Sequence, residues 1–291
     1  MTADAPVTAA GPERLVAVPV RHYGRWLSAV LVLAALGAVV YAFGTADIKY
    51  DTTKHFFTFD TIVKGAGRTL LLSVTAQALG IALGIVFAVM RQSSNPVTGA
   101  VAWLYIWFFR GTPVLLQLLI WFNLSLIFPH ILGHDTNKLM TAFVASLLGL
   151  GINEGAYMAE IVRAGLAAVD EGQTEAAQAL GMSRGLLLRR IVLPQAMRVI
   201  IPPTGNEFIN MLKTSSLASV ITYTELLRSA ENIYTNNLQI IELLFAVALW
   251  YLVLTSVFSV GQYYLERRFN RGASRNLALT PFQRLRRVDR T

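Results

Sequence analysis

Long apolar runs separated by short polar breaks dominate this chain. The first, Trp26 to Gly44, is nearly uninterrupted and about as long as the ~20 residues a helix needs to cross hydrocarbon. Residues 45 to 60 are polar and of mixed charge, and read as a short external loop. A second span is expected from Gly67 to Met90, with Gly80 and Gly84 at the spacing that lets another helix come close. Arg91-Gln-Ser-Ser-Asn-Pro96 breaks it. The run from Val97 to Phe128 is too long for one straight span. Its first part, with Trp103, Tyr105, Trp107, Phe108 and Phe109, reads as an interfacial helix or the start of a helix. Arg110-Gly-Thr-Pro113 then punctuates it, with Pro113 acceptable in a first turn. Three more spans are expected at Lys138–Val162, Ala196–Thr222 and Gln239–Leu265. The pattern predicts an all-α, polytopic membrane protein with about six transmembrane helices.

Composition sharpens this. The chain is 54% hydrophobic and 14% charged, where a soluble domain carries about a quarter charged residues. Without cysteine, disulfides, thiolate metal sites and cysteine nucleophiles are excluded. The net charge of +8 would suit nucleic acid, but its distribution suits a membrane instead, with lipid and no nucleic acid as partner. Residues 1–25 form an Ala/Pro-rich tail expected to be loosely ordered. Arg21 and Arg25 before the first span allow a signal peptide, yet the apolar stretch exceeds the ~7–15 residues of a signal core, so a retained helix at 26–44 is expected. With six spans both termini share one side with the 91–96 turn and the 163–198 loop. That side holds 17 Lys and Arg; the other holds six, Lys49, Lys54, Lys64, Arg68, Lys138 and Arg228. Positive residues stay inside, so both termini and the loop are expected to be cytoplasmic in a multi-pass cell-membrane protein.

That loop is the polar island of the sequence. Glu175 to Leu180 are good helix formers, Gly181 stands where a left-handed cap would end them, and Ser183 is placed to cap a second helix from Arg184 to about Ile191, stopped before Pro194. Ala176, Ala179 and Leu180 share a face with room for a close partner. Arg184, Arg189 and Arg190 make the second helix basic. Any one of these features also suits a solvated amphipathic loop.

Together they resemble the coupling loop of permease subunits in binding-protein-dependent ABC importers. Its signature is Glu-Ala-Ala, three residues, Gly, nine residues, Ile, one residue, Leu-Pro. Glu175, Ala176, Ala177, Gly181, Ile191, Leu193 and Pro194 match it at every spacing. The resemblance implies that residues 170–194, with Ala179, Leu180 and Arg184, dock on a separate ATPase. It implies a five-helix permease core at 60–268, an extra helix at 26–44 and a basic tail at 269–291. Arg110-Gly-Thr-Pro-Val-Leu-Leu-Gln117, Gly155 to Gly165, Gly172-Gln173 and Lys213 to Ser219 look like the polar amino-acid branch (histidine, glutamine, glutamate and arginine systems). Ala164 and the pair Thr214-Ser215 depart from that branch, the latter removing a carboxylate. The implied partners are an ABC ATPase dimer, a second permease copy or a related permease, and an extracytoplasmic amino-acid-binding protein. No cofactor is expected on this chain, and ATP and Mg are expected on the ATPase.

Polar side chains at membrane depth are costly, about 2.5–3.5 kcal/mol for Asp, Lys or Arg, and so should face a cavity or a partner. Asn153, Tyr157 and Glu160 form one stripe, with Glu154 beside it. Asn206, Asn210 and Lys213 form another, flanked by Glu207, Thr214 and Ser215. Pro202-Pro203 and Gly205 are expected to interrupt the backbone just before it. These residues, with Gln117, sketch a wet substrate path between the fourth and fifth spans. The competing reading is interhelical hydrogen bonds and ion pairs, favoured for Glu160 with Arg163. Arg110 reads as a headgroup anchor or a brace for the loop, and the aromatics from Trp103 to Phe109 as an interface belt. The four histidines lack ligand spacing. There is no phosphate loop, H-E-x-x-H or G-x-S-x-G, so the chain is not expected to be an enzyme itself. An ion- or proton-coupled secondary amino-acid transporter is the alternative; it should show inverted repeats, and none is visible. A membrane-embedded enzyme or scaffold would need a catalytic cluster or long soluble domains.

Overall fold

The computed structural model describes residues 23–269, and the chain divides into two units, 1–48 and 49–291. The expected tails at 1–25 and 269–291 lie almost wholly outside the described residues. The first unit contributes α1 (Tyr23–Thr45), close to the run at Trp26–Gly44 and apolar on every side.

The second unit opens on α2 (Tyr50–Phe57), where the sequence suggests only a loop. Thr53 and Phe56 are its buried face, too narrow a stripe to register among charged neighbours. Trp250 holds it from the far end of the chain: the Phe57 ring stacks on the indole at 5.0 Å, and Trp250 Nε1 donates to the Phe57 carbonyl at 2.8 Å. α3 (Asp60–Arg91) starts seven residues before its apolar run, because Asp60, Lys64 and Arg68 occupy its first turns. The Asn95 side chain accepts from Val97 N at 2.9 Å and caps α4 (Pro96–Gly111). α5 (Val114–Phe122) follows after a bend of 102°, with Pro113 at its N-cap. A two-residue antiparallel pair, β1 (His130–Ile131) with β2 (His134–Asp135), and α6 (Thr136–Leu139) lead into α7 (Ala142–Ala167), capped by Thr141. α8 (Glu171–Ala179) and α9 (Arg184–Leu187) form the expected hairpin. α10 (Leu193–Thr214), a 3-10 segment at Ser215–Ile221, α11 (Leu226–Asn237) and α12 (Ile240–Phe269) complete the chain.

Two expectations about proline are corrected. Pro194 does not end the second hairpin helix: α9 passes through a π turn at Leu188–Val192 directly into α10. The wider turn shifts the hydrogen-bond register where the ring would clash with the carbonyl four residues back, and Gln195 Nε2 bonds the Ile191 carbonyl at 3.0 Å. Nor do Pro202-Pro203 break α10, which runs on through both. Thr204 Oγ1 and Gln262 Nε2 bond the carbonyls of Ile200 and Pro202. Gly205 serves there as a close-approach site, since any Cβ would overlap the Gln262 amide.

Helix directions fix the topology of the second unit. Leu79 meets Gly151, Gly80 meets Glu154 and Gly84 meets Met158, rising in step, so α3 and α7 run parallel. The chain must therefore cross back between them, and α4 with α5 is one broken span rather than a re-entrant loop. α10 runs against α7, with Ile200 on Gly165 and Met211 clustered with Leu150. α12 runs against α10, with Phe258 on Phe208 at 4.9 Å. The second unit thus makes five passes. Among the described helices α1, α3, α7 and α12 are long and apolar enough to span a membrane, and the bent pair makes a fifth. The 22-residue α10 falls short on composition because it carries the polar stripe, yet it packs antiparallel to both α7 and α12, so it is the return pass between them.

Away from the hairpin a carboxylate ties two passes, α3 and α12, to the start of α11. Glu225 is fully buried and accepts from Thr69 Oγ1 at 3.2 Å, Tyr251 Oη at 2.9 Å, Leu227 N at 2.9 Å and Arg228 N at 2.8 Å. Burial holds its pKa above the ordinary carboxylate range, although the four donors act in the opposite direction. Glu225→Ala strands those donors at about 1–3 kcal/mol for each left unpaired. A loss of about 3 kcal/mol is expected, read as a lowered thermal midpoint in detergent, and Glu225→Gln should lose less.

Candidate transport pathway and coupling surface

α7 and α10 face one another across a cleft of about 780 Å³. Asn153, Glu154 and Tyr157 line it from α7, and Glu207, Asn210, Lys213 and Thr214 from α10. The broken span supplies the remaining wall, Arg110 to Val114. The close approach that builds one side is glycine-made: Gly80 leaves room for the Glu154 side chain against α3. Glu154 is 5% exposed, and its Oε1 accepts from Gln77 Nε2 at 3.1 Å. Glu207 and Lys213 enter no ion pair among the described residues. Charge of both signs therefore stands open to whatever occupies the cleft.

Four expected path residues sit elsewhere. Gln117 is buried behind the wall and braces the bend: its Nε2 donates to the carbonyls of Phe109 and Thr112 at 3.1 Å and to Thr112 Oγ1 at 2.8 Å. Asn153 Nδ2 reaches the same Phe109 carbonyl at 2.7 Å. Ser215 is buried and bonds the Leu212 carbonyl at 2.8 Å. Asn206 is exposed on α10 one turn before Asn210 but outside the cleft lining. Glu160 lies in a second cleft of about 900 Å³, nearer the hairpin, where Arg163 Nη2 holds it at 2.7 Å. Arg91, Trp103, Trp107, Arg110 and Tyr157 also line that cleft.

Two residues outside the expected path set belong to the site. The Arg110 guanidinium lies over the Tyr157 ring, 5.1 Å from the centroid. The signal for it was a lone arginine amid apolar residues. Gln77 is the other, a single amide in the α3 run, and nothing but the fold brings it to Glu154. The aromatic belt is likewise partly internal, since Tyr105 stacks on Phe87 and donates to the Ile152 carbonyl at 2.6 Å.

At the other end of α7 the hairpin is built as its sequence implies. Asp170 caps α8 by accepting from Gly172 N at 2.8 Å. Gly181 has φ +76°, and the bonds Met182 N to Ala177 O and Gly181 N to Gln178 O close the left-handed cap. Ser183 takes the N-cap position of α9 without a side-chain bond. Of the proposed docking residues Ala177 turns inward and is buried, as is Leu187. Glu175, Ala176, Ala179, Gly181, Arg184, Leu193 and Pro194 are exposed and Ile191 is half-buried. Leu180 is 83% exposed at the tip.

A membrane unit of five passes, a polar cleft between two of them and a projecting hairpin continuous with one cleft wall together define a permease subunit. Residues 80–271 match the family described as binding-protein-dependent transport system inner membrane component, and the chain belongs to that family. It is 46% identical over 276 residues to the arginine transport system permease protein ArgU of Corynebacterium glutamicum, covering 92% of this chain and 87% of that one. It is 34% identical over 222 residues to the glutamine transport system permease protein GlnP of Escherichia coli K12, covering 76% and 98%. A crystal structure described as an amino acid ABC transporter with histidines superposes with a TM-score of 0.68 at 37% identity, over 77% of this chain and all of that chain. The protein is thus an amino-acid ABC permease subunit of the inner membrane.

Proposed function

We propose that this chain forms one half of an import path for a polar, basic amino acid, opened alternately to either side by an ATPase that grips residues 170–194. The observation carrying this reading is the cleft that Glu154 lines from α7 and Glu207, Asn210 and Lys213 line from α10. The carboxylates suit the α-ammonium and a basic side chain, and Lys213 suits the α-carboxylate. The similarity to an arginine permease supports the basic choice. The basic residues flanking the hairpin support its facing the cytoplasm. Because α9, the π turn and α10 are one continuous rod, a push on the hairpin tip reaches the cleft wall directly. One chain supplies one wall, so a two-fold pair of permeases completes the path, with ATP and Mg held by the ATPase and substrate delivered by a binding protein.

The test is reconstitution with an ATPase and a binding protein, followed by labelled arginine and glutamine. Accumulation of arginine that needs ATP and survives an ionophore is expected; accumulation that collapses with the ion gradient would instead make this a secondary transporter. Glu207→Gln should lower arginine uptake about tenfold, the equivalent of one lost charge-assisted contact. Glutamine uptake should be reduced less.

A further inference from the structure

We propose that the Arg110 guanidinium resting on Tyr157 is a movable partition in the path, dividing it into two chambers. The proposal rests on the import reading above. Arg110, Gly111 and Tyr157 are the residues common to both clefts, so the two cavities adjoin at this contact. On one side stand Glu154, Glu207 and Lys213; on the other, Arg91 and the pair Glu160–Arg163. An amino acid moving from the first cleft to the second along this wall goes by the Arg110–Tyr157 contact.

The contact is of a kind that can open. Arg110 enters no ion pair among the described residues, and its guanidinium is within the roughly 6 Å at which a ring face attracts a cation. The backbone beneath it is fixed: Asn153 and Gln117 both hold the Phe109 carbonyl, and Gln117 also holds Thr112. Since Asn153 and Tyr157 lie one turn apart on α7, that bracket and the ring travel together. The moving part is then the arginine side chain, swinging off a neutral ring. Every amino acid brings a carboxylate, which attracts a guanidinium more strongly than a ring face does. Substrate arriving in the first cleft draws Arg110 from Tyr157 and opens the way, and in its absence the ring recaptures the cation. Tyr157 is a positioning residue in this scheme, and its ring rather than its hydroxyl does the holding.

The test uses the reconstituted transporter with its ATPase and binding protein, and reads efflux of preloaded labelled arginine without ATP. Wild type should retain its load. Arg110→Gln and Tyr157→Leu should each raise ATP-free efflux at least about tenfold, with ATP hydrolysis still present when assayed separately with ATP, and Tyr157→Phe should leak no more than wild type. Both side chains face open cleft rather than packed core; should Arg110→Gln nonetheless fail to assemble, Tyr157→Leu against Tyr157→Phe decides. The proposal is overturned if Tyr157→Leu retains arginine like wild type, or if Tyr157→Phe leaks as Tyr157→Leu does. Failure of the wild type to accumulate arginine with ATP would sink the import reading itself, in an arm that contains no variant.

Discussion

A Gly181→Val variant is expected to reach the membrane in normal amount, to lose ATP-driven uptake by about tenfold or more, and no longer to co-purify with the proposed ATPase partner. The reason is conformational, not steric. A Cβ at Gly181 would meet nothing within 4 Å, so the side chain has room. The backbone does not: φ is +76°, a region that costs an L residue roughly 1–2 kcal/mol and a β-branched one more. That strain is relieved only by opening the cap formed by the Met182 and Gly181 amides on Ala177 and Gln178. Opening it shifts Leu180, the exposed apolar tip, relative to α9. An energy of about 1.4 kcal/mol at such a hinge already changes the populated geometry tenfold. Gly181→Asn, which tolerates the left-handed region, should keep most of the uptake. Normal transport by the valine variant would show that the hairpin geometry is not what the ATPase reads.

How far the sequence shows this architecture depends on where its information lies. Hydropathy reveals a pass when lipid faces most of it, as in α3 and α12. It understates α10, whose polar stripe is turned to the cleft. It misses α2 and α11 altogether, since Phe56 and Leu226 are buried by distant partners rather than by local pattern. The hairpin is legible because its turn is decided locally, by Gly181. The fate of Pro194 is not, because a π turn leaves no composition of its own. The i, i+3 and i, i+4 stripes bring Asn153, Tyr157, Asn210 and Lys213 to one cleft, as helical periodicity must once the helices exist. Gln117 and Ser215 show the limit of that logic: a polar residue at depth is satisfied as readily by a nearby carbonyl as by a ligand, and only coordinates tell which carbonyl is near. Arg110 shows the converse, a cleft residue whose partner, Tyr157, lies 47 positions away.

Gly84→Leu should prevent the protein from accumulating in the membrane. Parallel contact between α3 and α7 depends on absent side chains. A Cβ at Gly84 would fall on the Cβ and carbonyl carbon of Met158 and on the amide of Ala159, and one at Gly80 on the Glu154 side chain and the Gly155 amide. Backbone atoms cannot rotate away, so the helices must separate, and in lipid no hydrophobic force opposes that beyond the packing itself. Even Gly84→Ala is expected to cost about 1–3 kcal/mol, the usual scale for overpacking, seen as a lower thermal midpoint in detergent. Gly80→Ala should show a second effect. By displacing Glu154 from Gln77 it moves a cleft carboxylate, so arginine uptake should fall further than stability explains. Gly67→Ala is the control, since it lies on the same helix with nothing within 4 Å and should gain up to about 1 kcal/mol from helix propensity. If Gly84→Ala proved as stable as Gly67→Ala, the tight contact of α3 with α7, and with it the placement of Glu154 in the cleft, would have to be redrawn.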